Sequence, residues 1–409
     1  MRQGRVDIGQ RSETVHRANL SAIVRGLHER GPLSRSDLVA LTGLTRSAIR
    51  ALVCELVDAG MVIEEPALRL GTPGRPSPIA RANPRRALVL GIVIMVDSIA
   101  AAIVGLGGVT LAESRLERPR GSLSPDRVVA DITELTESLL RRVPAPPIGI
   151  GVAVAGVVRR SDGLVWAAPN LGWVEVALGD RLARALALEV PISIANDADM
   201  GLLAEHRRGA AIGVNDVLYI SGEVGVGGGA IIGGHALTGV AGYGGEIGHM
   251  PVNPGGKSCR CGSSGCWETE VGEGALLTLA GLPPDSGREG VEAVLRDAAA
   301  GDPRSAAALD HVGRWLGIGL AGLVNVLNPQ LVILGAMHGR IHAAVRPVME
   351  GELDRRALRA PRDSVHVVPA TLGVGAPARG AAELAFEPLL ADPAAFFGSA
   401  AFSTQLASA

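Results

Sequence analysis

Residues 249–266 constrain the local fold of this chain most strongly, because they contain one histidine and three of the four cysteines. The spacing of these residues is H-x9-C-x-C-x4-C, and Gly, Ser and Pro fill most of the intervening positions, which permits tight turns. One imidazole and three thiolates complete a tetrahedral shell for a divalent metal, and zinc is the metal that such a set favours. The sequence therefore predicts a structural Zn²⁺ site with the ligands His249, Cys259, Cys261 and Cys266.

A disulfide is the alternative interpretation of these cysteines. Cys259 and Cys261 are too close in sequence to pair comfortably. The first residues, MRQGRVDIGQ, contain no apolar segment of the kind found in signal peptides, so nothing indicates an oxidising compartment. The spacing therefore favours a metal, and we expect a cytoplasmic protein.

Charge is distributed unevenly along the chain. The net charge of the 409 residues is −2, but residues 1–86 carry +6 and the remainder carries −8. This asymmetry is weak evidence for a nucleic-acid-binding head attached to a separate acidic body. The hydrophobic content of 47% and the charged content of 20% are typical of a soluble globular protein, and the length suits two or three domains.

The most apolar run, residues 87–106, approaches the length of a membrane span. Asp97 and Ser98 interrupt its middle. Two buried strands joined at this point explain the run better than a transmembrane helix does. We therefore expect no association with a membrane.

Three helical patterns occupy roughly residues 17–63. Ser34, with Asp37 three residues later, can cap the second helix, Gly43 can form the turn, and Thr45 can cap the third helix. Two short helices joined by four residues are typical of a helix-turn-helix, and the following residues can form a two-stranded wing. We predict a winged helix-turn-helix domain over residues 12–82.

Polar residues near the start of the third helix are candidates for DNA contacts, because a recognition helix meets base edges and phosphates there. An arginine in the Gly-Arg-Pro sequence of the wing is placed to reach a minor groove. The predicted DNA-binding residues are Thr45, Arg46, Ser47, Arg50 and Arg75. The alternative is a helical bundle whose arginines only face solvent, but the order of caps, turn and wing argues against it.

From residue 86 onward, short apolar strands alternate with helices, which is typical of an α/β body, and the length suits two lobes. We place this body at residues 86–385. Residues 388–409 are low in charge and rich in small residues. We expect them to form a disordered tail.

The order of motifs resembles the ROK family of sugar-responsive repressors, uncharacterised proteins and sugar kinases. The motifs are the helix-turn-helix followed by APNLGW, IANDAD, GEVGVGGG, GEIGHM and CRCGSSGCWE. The resemblance extends over about residues 15–385. It implies the actin-like, ribonuclease-H-like two-lobed fold of sugar kinases behind the winged head.

The resemblance also implies site residues. The histidine and the three cysteines resemble the family's zinc ligands, and Asp197 matches the general base of its kinases. The residues that resemble its sugar contacts are Asn170, Asn196, Asp197, Glu246, His249 and Glu268. Carboxylates suit this role because each accepts hydrogen bonds from neighbouring sugar hydroxyls. For Asn196 and Asp197, a helix cap at a strand end is the alternative.

Departures from the kinase pattern indicate that the nucleotide site is lost. Where the kinases have D-x-G-x-T, this chain has Val93, Met95 and Asp97, so bulky side chains and a misplaced negative charge oppose a triphosphate. Glu223 stands where a kinase has threonine, and residues 334–336, LGA, replace a double glycine.

We therefore expect a sugar-responsive transcriptional regulator, a repressor rather than an enzyme. A homodimer or homotetramer would bind a palindromic operator that contains A·T pairs, and a sugar bound between the lobes would change the affinity for DNA. Two alternatives stay open: an ATP-dependent sugar kinase that carries a DNA-binding domain, and a DNA-bound scaffold that does not respond to sugars.

Overall fold

The computed structural model describes residues 8–66, 77–121 and 124–397. Arg75 lies outside the described residues, and so do residues 398–409 of the predicted tail.

The head, residues 8–82, consists of helices and a small antiparallel sheet. Its elements are α1 (Ile8–Arg30), β1 (Leu33–Ser34), α2 (Arg35–Thr42), α3 (Arg46–Asp58), β2 (Val62–Glu65) and β3 (Ile79–Ala82). The strands pair in the order β1-β3-β2. The predicted three helices and wing are therefore present, and α1 begins earlier than the helical pattern indicated.

Side-chain caps fix the turn between α2 and α3. The hydroxyl of Ser34 accepts the N–H of Asp37 (3.1 Å), and the carboxylate of Asp37 accepts the N–H of Ser34 (2.9 Å), which completes a capping box. Gly43 ends α2 in the left-handed conformation (φ 70°). Thr45 caps α3 by accepting the N–H of Ala48. These are the interactions that the sequence predicts.

The first lobe is built on a mixed sheet. The elements of the lobe are β4 (Leu88–Ile94), β5 (Ser98–Gly105), β6 (Val109–Glu117), α4 (Pro125–Leu140), β7 (Ile150–Val154), β8 (Val157–Arg159), β9 (Leu164–Ala168), β10 (Trp173–Ala177), α5 (Leu178–Leu186) and β11 (Ile192–Asn196). The main sheet has the order β11-β7-β4-β5-β6, and β8 to β10 form a separate antiparallel sheet. The most apolar run of the sequence forms β4 and β5, and among the described residues no helix is long and apolar enough to span a membrane.

The second lobe repeats this topology. Its elements, together with the helices that join it to the first lobe, are α6 (Asp197–Arg208), β12 (Val217–Gly222), β13 (Val226–Ile232), β14 (His235–Ala236), α7 (Glu268–Val271), α8 (Glu273–Ala280), α9 (Gly287–Ala299), α10 (Pro303–Leu327), β15 (Leu331–Gly335), α11 (Ala336–Arg356), α12 (Arg359–Ser364), β16 (His366–Pro369) and α13 (Ala376–Ala391). The sheet order is β14-β13-β12-β15-β16. In each lobe, three consecutive antiparallel strands are followed by two parallel ones. This duplicated arrangement agrees with the predicted two-lobed fold.

Two helices connect the lobes. α6 leads from β11 of the first sheet to β12 of the second, and α13 follows β16 and packs on β4 and β7 of the first lobe. Glycines permit this packing, because a Cβ at Gly151 of β7 would lie 1.8 Å from the carbonyl oxygen of Ala381. The two helices cross at Gly380, where a Cβ would lie 1.8 Å from the carbonyl oxygen of Met200.

The head shares a hydrophobic core with the body, residues 86–397. Leu20 and Leu27 of α1 belong to the same buried cluster as Phe386, Leu389 and Leu390 of α13. α13 extends to Ala391, and a short 3-10 helix follows at Pro393–Phe396. The prediction of a disordered tail from residue 388 is therefore wrong for residues 388–397, because this segment is helical and its leucines are buried.

The crossing of α6 and α13 predicts the effect of adding one methyl group. We expect Gly380→Ala to lower the free energy of unfolding by about 1–3 kcal/mol, because the new Cβ has no space beside Met200. Gly322→Ala in α10 is the matched control, since nothing lies within 4 Å of the added Cβ and alanine favours a helix by up to about 1 kcal/mol. Thermal unfolding followed by circular dichroism measures both variants. Equal melting temperatures would contradict the close crossing.

Candidate functional site

His249, Cys259, Cys261 and Cys266 lie together, and their ligand atoms are all within 4.8 Å of one another. The distance from Cys259 Sγ to His249 Nδ1 is 3.7 Å, and that from Cys261 Sγ to Cys266 Sγ is also 3.7 Å. Sulfur atoms bound 2.3 Å from a tetrahedral ion lie about 3.8 Å apart, so the arrangement fits zinc. All four cysteines of the chain are in the described part, and none forms a disulfide.

The knuckle, residues 249–266, is anchored to the core of the second lobe. Cys266 pairs with Pro251 through an isolated β-bridge, and Trp267 donates its backbone N–H to Met250 (2.9 Å). The indole of Trp267 is fully buried and donates to the carbonyl oxygen of Trp315 (2.7 Å). The local turns also require glycine, because a Cβ at Gly265 would lie 1.6 Å from a backbone oxygen. The fold therefore holds the cluster in one place on the lobe.

Glu268 begins α7 immediately after the knuckle. One carboxylate oxygen accepts the N–H of Val226 in β13 (3.1 Å), and the other lies 3.7 Å from Cys259 Sγ. A Cβ at Gly225 would lie 2.6 Å from this carboxylate, so only glycine fits beside it. The position of Glu268 thus depends on both the metal cluster and the glycine-rich turn.

Asn170 connects the first lobe to the same region. Its side-chain oxygen accepts a hydrogen bond from Arg260 of the knuckle (2.8 Å). Its nitrogen would lie 3.2 Å from a Cβ at Gly225. Sequence reasoning missed Arg260, although its position between two cysteine ligands was a usable signal. The contact brings the first lobe against the knuckle.

Asn196 has the capping role that the sequence left open as an alternative. Its side-chain oxygen accepts the N–H groups of Ala198 (2.8 Å) and Asp199 (3.4 Å), and its nitrogen donates to the carbonyl of Gly156 (3.0 Å). Both polar groups of the amide therefore hold the turn from β11 into α6. A contact with a sugar would add to these bonds.

Asp197 is the first residue of α6 and is half-buried. Burial raises the pKa of Asp197 to about 6, and the nearby charge of Asp199 adds to the effect. The buried carboxylate of Asp199 is itself paired with Arg160 (2.8 Å), which the sequence analysis did not identify. Asp197 is therefore the carboxylate at this end of α6 that is available to a ligand.

Glu246 lies near Glu268 and near Asp197 at the start of α6. Burial raises the pKa of the Glu246 carboxyl group. His249 opposes this shift, whereas Asp197, Asp199 and Glu268 increase it by repulsion. Glu246 is thus close enough to Asp197 and Glu268 for their charges to interact.

Charged groups of both lobes line a small cavity at one end of the cleft between the lobes. Arg120 of the first lobe donates to Glu273 of α8 (2.5 Å) and lies 3.5 Å from Asp97. Burial and the charges of Asp197 and Asp97 raise the pKa of Glu223 to about 7. Ala336 has a φ of 49°, a left-handed conformation that favours glycine. An ion pair between the lobes therefore occupies this end of the cleft.

The predicted DNA-binding residues of α3 share one exposed end of the head. Thr45, Arg46, Ser47 and Arg50 are all exposed. Within the described part of the chain, no carboxylate lies within 4.0 Å of either arginine, so both guanidinium groups are available to phosphates.

Comparison with known proteins agrees with this architecture. The ROK family model matches residues 89–387. The xylose repressor of Bacillus subtilis (strain 168) is 30% identical over 379 residues, which are 92% of this chain and 97% of the repressor.

Two crystal structures are similar to this chain over nearly their whole length. The ROK family transcriptional regulator described as a homologue of the E. coli MLC protein has a TM-score of 0.74 at 25% identity, covering 96% of this chain and 98% of that chain. The ROK family glucokinase from Streptomyces griseus in complex with glucose and AMPPNP has a TM-score of 0.64 at 29% identity, covering 73% of this chain and 99% of that chain. The sequence match and the shared two-lobed fold establish that this chain belongs to the ROK family.

Proposed function

We propose that this chain is a sugar-responsive DNA-binding repressor. The proposal rests on one observation: a helix-turn-helix head and a sugar-kinase fold are packed together in one structure. A recognition helix with exposed arginines shares a hydrophobic core with a sugar-kinase fold in which Glu246 lies near Asp197 and Glu268. The head binds DNA, and the body responds to the sugar.

The proposed effector is a small aldose. Asp197, Glu246 and Glu268 offer acceptors for its hydroxyl groups, with Asn170 and His249 at the edge of the cleft. The relative from Bacillus subtilis is named for xylose, and the glucokinase structure contains glucose. D-Xylose and D-glucose are therefore the effectors to test first.

We infer that the knuckle binds one structural Zn²⁺ ion. The four ligands His249, Cys259, Cys261 and Cys266 leave no open coordination position, so the metal would stabilise the loop and supply no chemistry to a substrate. Its contribution would be to hold Glu268 and His249 in place.

The same cleft argues against a kinase. Val93 and Met95 are buried at the positions where the family's kinases have an acid and a glycine, and Glu223 adds negative charge near the expected phosphates. Arg120 and Glu273 close this end with an ion pair. The raised pKa of Asp197 is the one feature that suits a general base, so the kinase is kept as the second candidate.

The proposed partner is operator DNA. A homodimer or homotetramer would present two recognition helices to a palindromic site that contains A·T pairs, with Arg75 directed at the minor groove. We place the protein in the cytoplasm, where such an operator would be found.

The DNA contacts are tested with a duplex selected by the wild-type protein from a randomised pool. We expect Arg50→Ala to weaken binding of this duplex about 10-fold or more at matched salt, because a base or phosphate contact is lost. Arg359→Ala is the control, since Arg359 is 94% exposed in α12 of the second lobe. Fluorescence anisotropy measures both affinities. Equal affinities for Arg50→Ala and the wild type would contradict the assignment of α3.

The sugar site is tested with Glu246→Gln, which keeps the size of the side chain and removes its charge. D-Xylose or D-glucose should change the operator affinity of the wild type, and the variant should lose this response while its affinity for the duplex stays the same. Glu289→Gln, at an exposed position of α9, is the control. A normal response of Glu246→Gln would reject the carboxylate assignment. Formation of a sugar phosphate from ATP and Mg²⁺ by the wild type would support the kinase instead.

The metal site is tested with Cys259→Ser. We expect the wild type to contain about one zinc ion per chain, and the variant to lose it and to melt at a lower temperature, because metal binding stabilises the folded loop. Cys54→Ser changes the exposed cysteine of α3 and should retain the metal. Elemental analysis and thermal unfolding give the two readouts. Retention of stoichiometric zinc by Cys259→Ser would refute the proposed ligand set.

A further inference from the structure

We propose that α6 couples the sugar site to the DNA-binding head, with Arg207 and Arg208 at its C-terminus as the positioning residues that transmit the sugar-bound state to α1. This inference rests on the proposed function and adds the route by which a bound sugar alters DNA binding.

The N-terminus of α6 belongs to the sugar site. Asn196 caps the helix, Asp197 opens it at the cleft, and Asp199 is tied to Arg160. The helix has 12 residues. It therefore extends about 17 Å from the cleft towards the head. A displacement of its first turn is carried to its last turn because an α-helix is stiff over this length.

The C-terminus of α6 contacts the head directly. Arg208 donates to the backbone oxygen of His28 in α1 (2.7 Å) and to the carboxylate of Glu383 in α13 (2.8 Å). Arg207 pairs with Glu29 of α1 and donates to Glu387 of α13 (2.7 Å). The last turn of α6 is therefore bonded to both α1 and α13.

α1 is bonded to the same two carboxylates of α13. His28 Nδ1 accepts the N–H of Gly107 (2.9 Å), and its Nε2 lies 2.8 Å from the carboxylate of Glu383 and 2.8 Å from the guanidinium of Arg208. Arg25 donates to Glu387 (3.0 Å). Each carboxylate thus holds one group from α1 and one from α6. We name this set the junction; it comprises Arg25, His28, Glu29, Arg207, Arg208, Glu383 and Glu387.

The inner part of the junction, around His28 and Glu383, is buried and therefore sensitive to geometry, whereas Arg25, Glu29 and Glu387 are partly exposed. His28 is fully buried, Glu383 is 3% exposed, and the side chain of Arg207 is 15% exposed. A buried charged network is stable only when its hydrogen bonds keep good geometry, because an unpaired charge there carries a large desolvation penalty. A change in the angle between α6 and α13 must therefore move α1 or break these bonds.

Lobe movement changes this angle. The chain passes from the first lobe to the second through α6 and packs back on the first lobe through α13. Glu205 ties α6 to the second lobe by accepting the N–H groups of Thr371 (2.9 Å) and Leu372 (2.8 Å). A sugar that draws the lobes together displaces the start of α6, and the junction converts that displacement into a reorientation of the head.

In a competing explanation, the head moves with the first lobe because it is covalently joined to that lobe and packed against it. Ala87, Val89 and Val104 of the first lobe also belong to the core shared with α1. In that case the head follows the first lobe as a rigid unit, and the ion pairs of the junction only add stability. The two explanations predict different behaviour when one ion pair is removed.

The experiment uses the full-length protein, the selected duplex, and D-xylose and D-glucose as probes. We expect Arg207→Gln to bind the duplex without sugar, and the sugar without DNA, within about 2-fold of the wild type. The change in operator affinity caused by the sugar should fall at least about 5-fold, since allosteric coupling commonly spans 5- to 150-fold. Glu29→Gln removes the partner of the same ion pair from α1 and should have the same effect.

The matched control is Arg362→Gln. Its guanidinium is 21% exposed and pairs with Glu350 and Asp354 within the second lobe, so it removes a similar ion pair away from the junction. The double variant Arg207→Gln/Glu29→Gln should lose less coupling than the sum of the two single variants, because both changes remove the ion pair between Arg207 and Glu29.

The possible outcomes distinguish failure of the proposed coupling from failure of the proposed function. A loss of coupling in Arg207→Gln and Glu29→Gln, with melting temperatures equal to that of Arg362→Gln, supports the proposal. A wild-type response to sugar in both variants overturns it and leaves the proposed function intact. A wild-type protein whose operator affinity changes with neither sugar refutes the proposed function and this inference together.

Discussion

The close crossing of α6 and α13 is the contact on which the rest of the structure depends. Gly380 permits the backbones to touch at Met200, and the two helices are the links between otherwise separate sheets. The head packs on the far end of the same pair, so its position follows from theirs. A side chain at the crossing would separate the helices, and it would move both the cleft and the DNA-binding surface. The small residues of α13 are therefore explained by packing.

The positions of the site residues depend both on contacts within one short segment and on contacts with elements that are distant in sequence. The histidine and three cysteines of the cluster come from one short segment, so a metal ion bound there would organise the knuckle with little help from the rest of the chain. Glu268 receives its position from the knuckle and from the backbone of Val226 in β13. Asn170 and Asp197 reach the site from other elements. The knuckle thus positions Glu268, and the arrangement of the lobes positions Asn170 and Asp197.

Much of the fold could be predicted from the sequence because its signals are local. Ser34, Asp37 and Thr45 cap the predicted helices, strand patterns mark both sheets, and ligand spacing identifies the cluster at the knuckle. The ROK assignment made from the motifs is confirmed by the family match. The features that were wrongly predicted or missed depend on contacts between residues that are distant in sequence. The composition of residues 388–409 as a whole predicts a disordered tail, whereas burial of Leu389 and Leu390 in the core shared with α1 orders residues 388–397. Arg120 and Glu273 are 153 residues apart, so no local pattern connects them.

The ion pair between Arg120 and Glu273 also bears on how a kinase fold can serve as a sensor. In a kinase, binding of the nucleotide contributes to lobe closure, so sugar and nucleotide share the free energy of that movement. Here the ion pair between Arg120 and Glu273 joins the two lobes directly. The sugar alone must then supply the difference in affinity between the open and closed states, and a tenfold shift in their populations requires about 1.4 kcal/mol of that difference. A repressor that binds its sugar without converting it keeps this difference as long as the sugar is bound. Reversible binding without turnover is what a repressor requires from the fold.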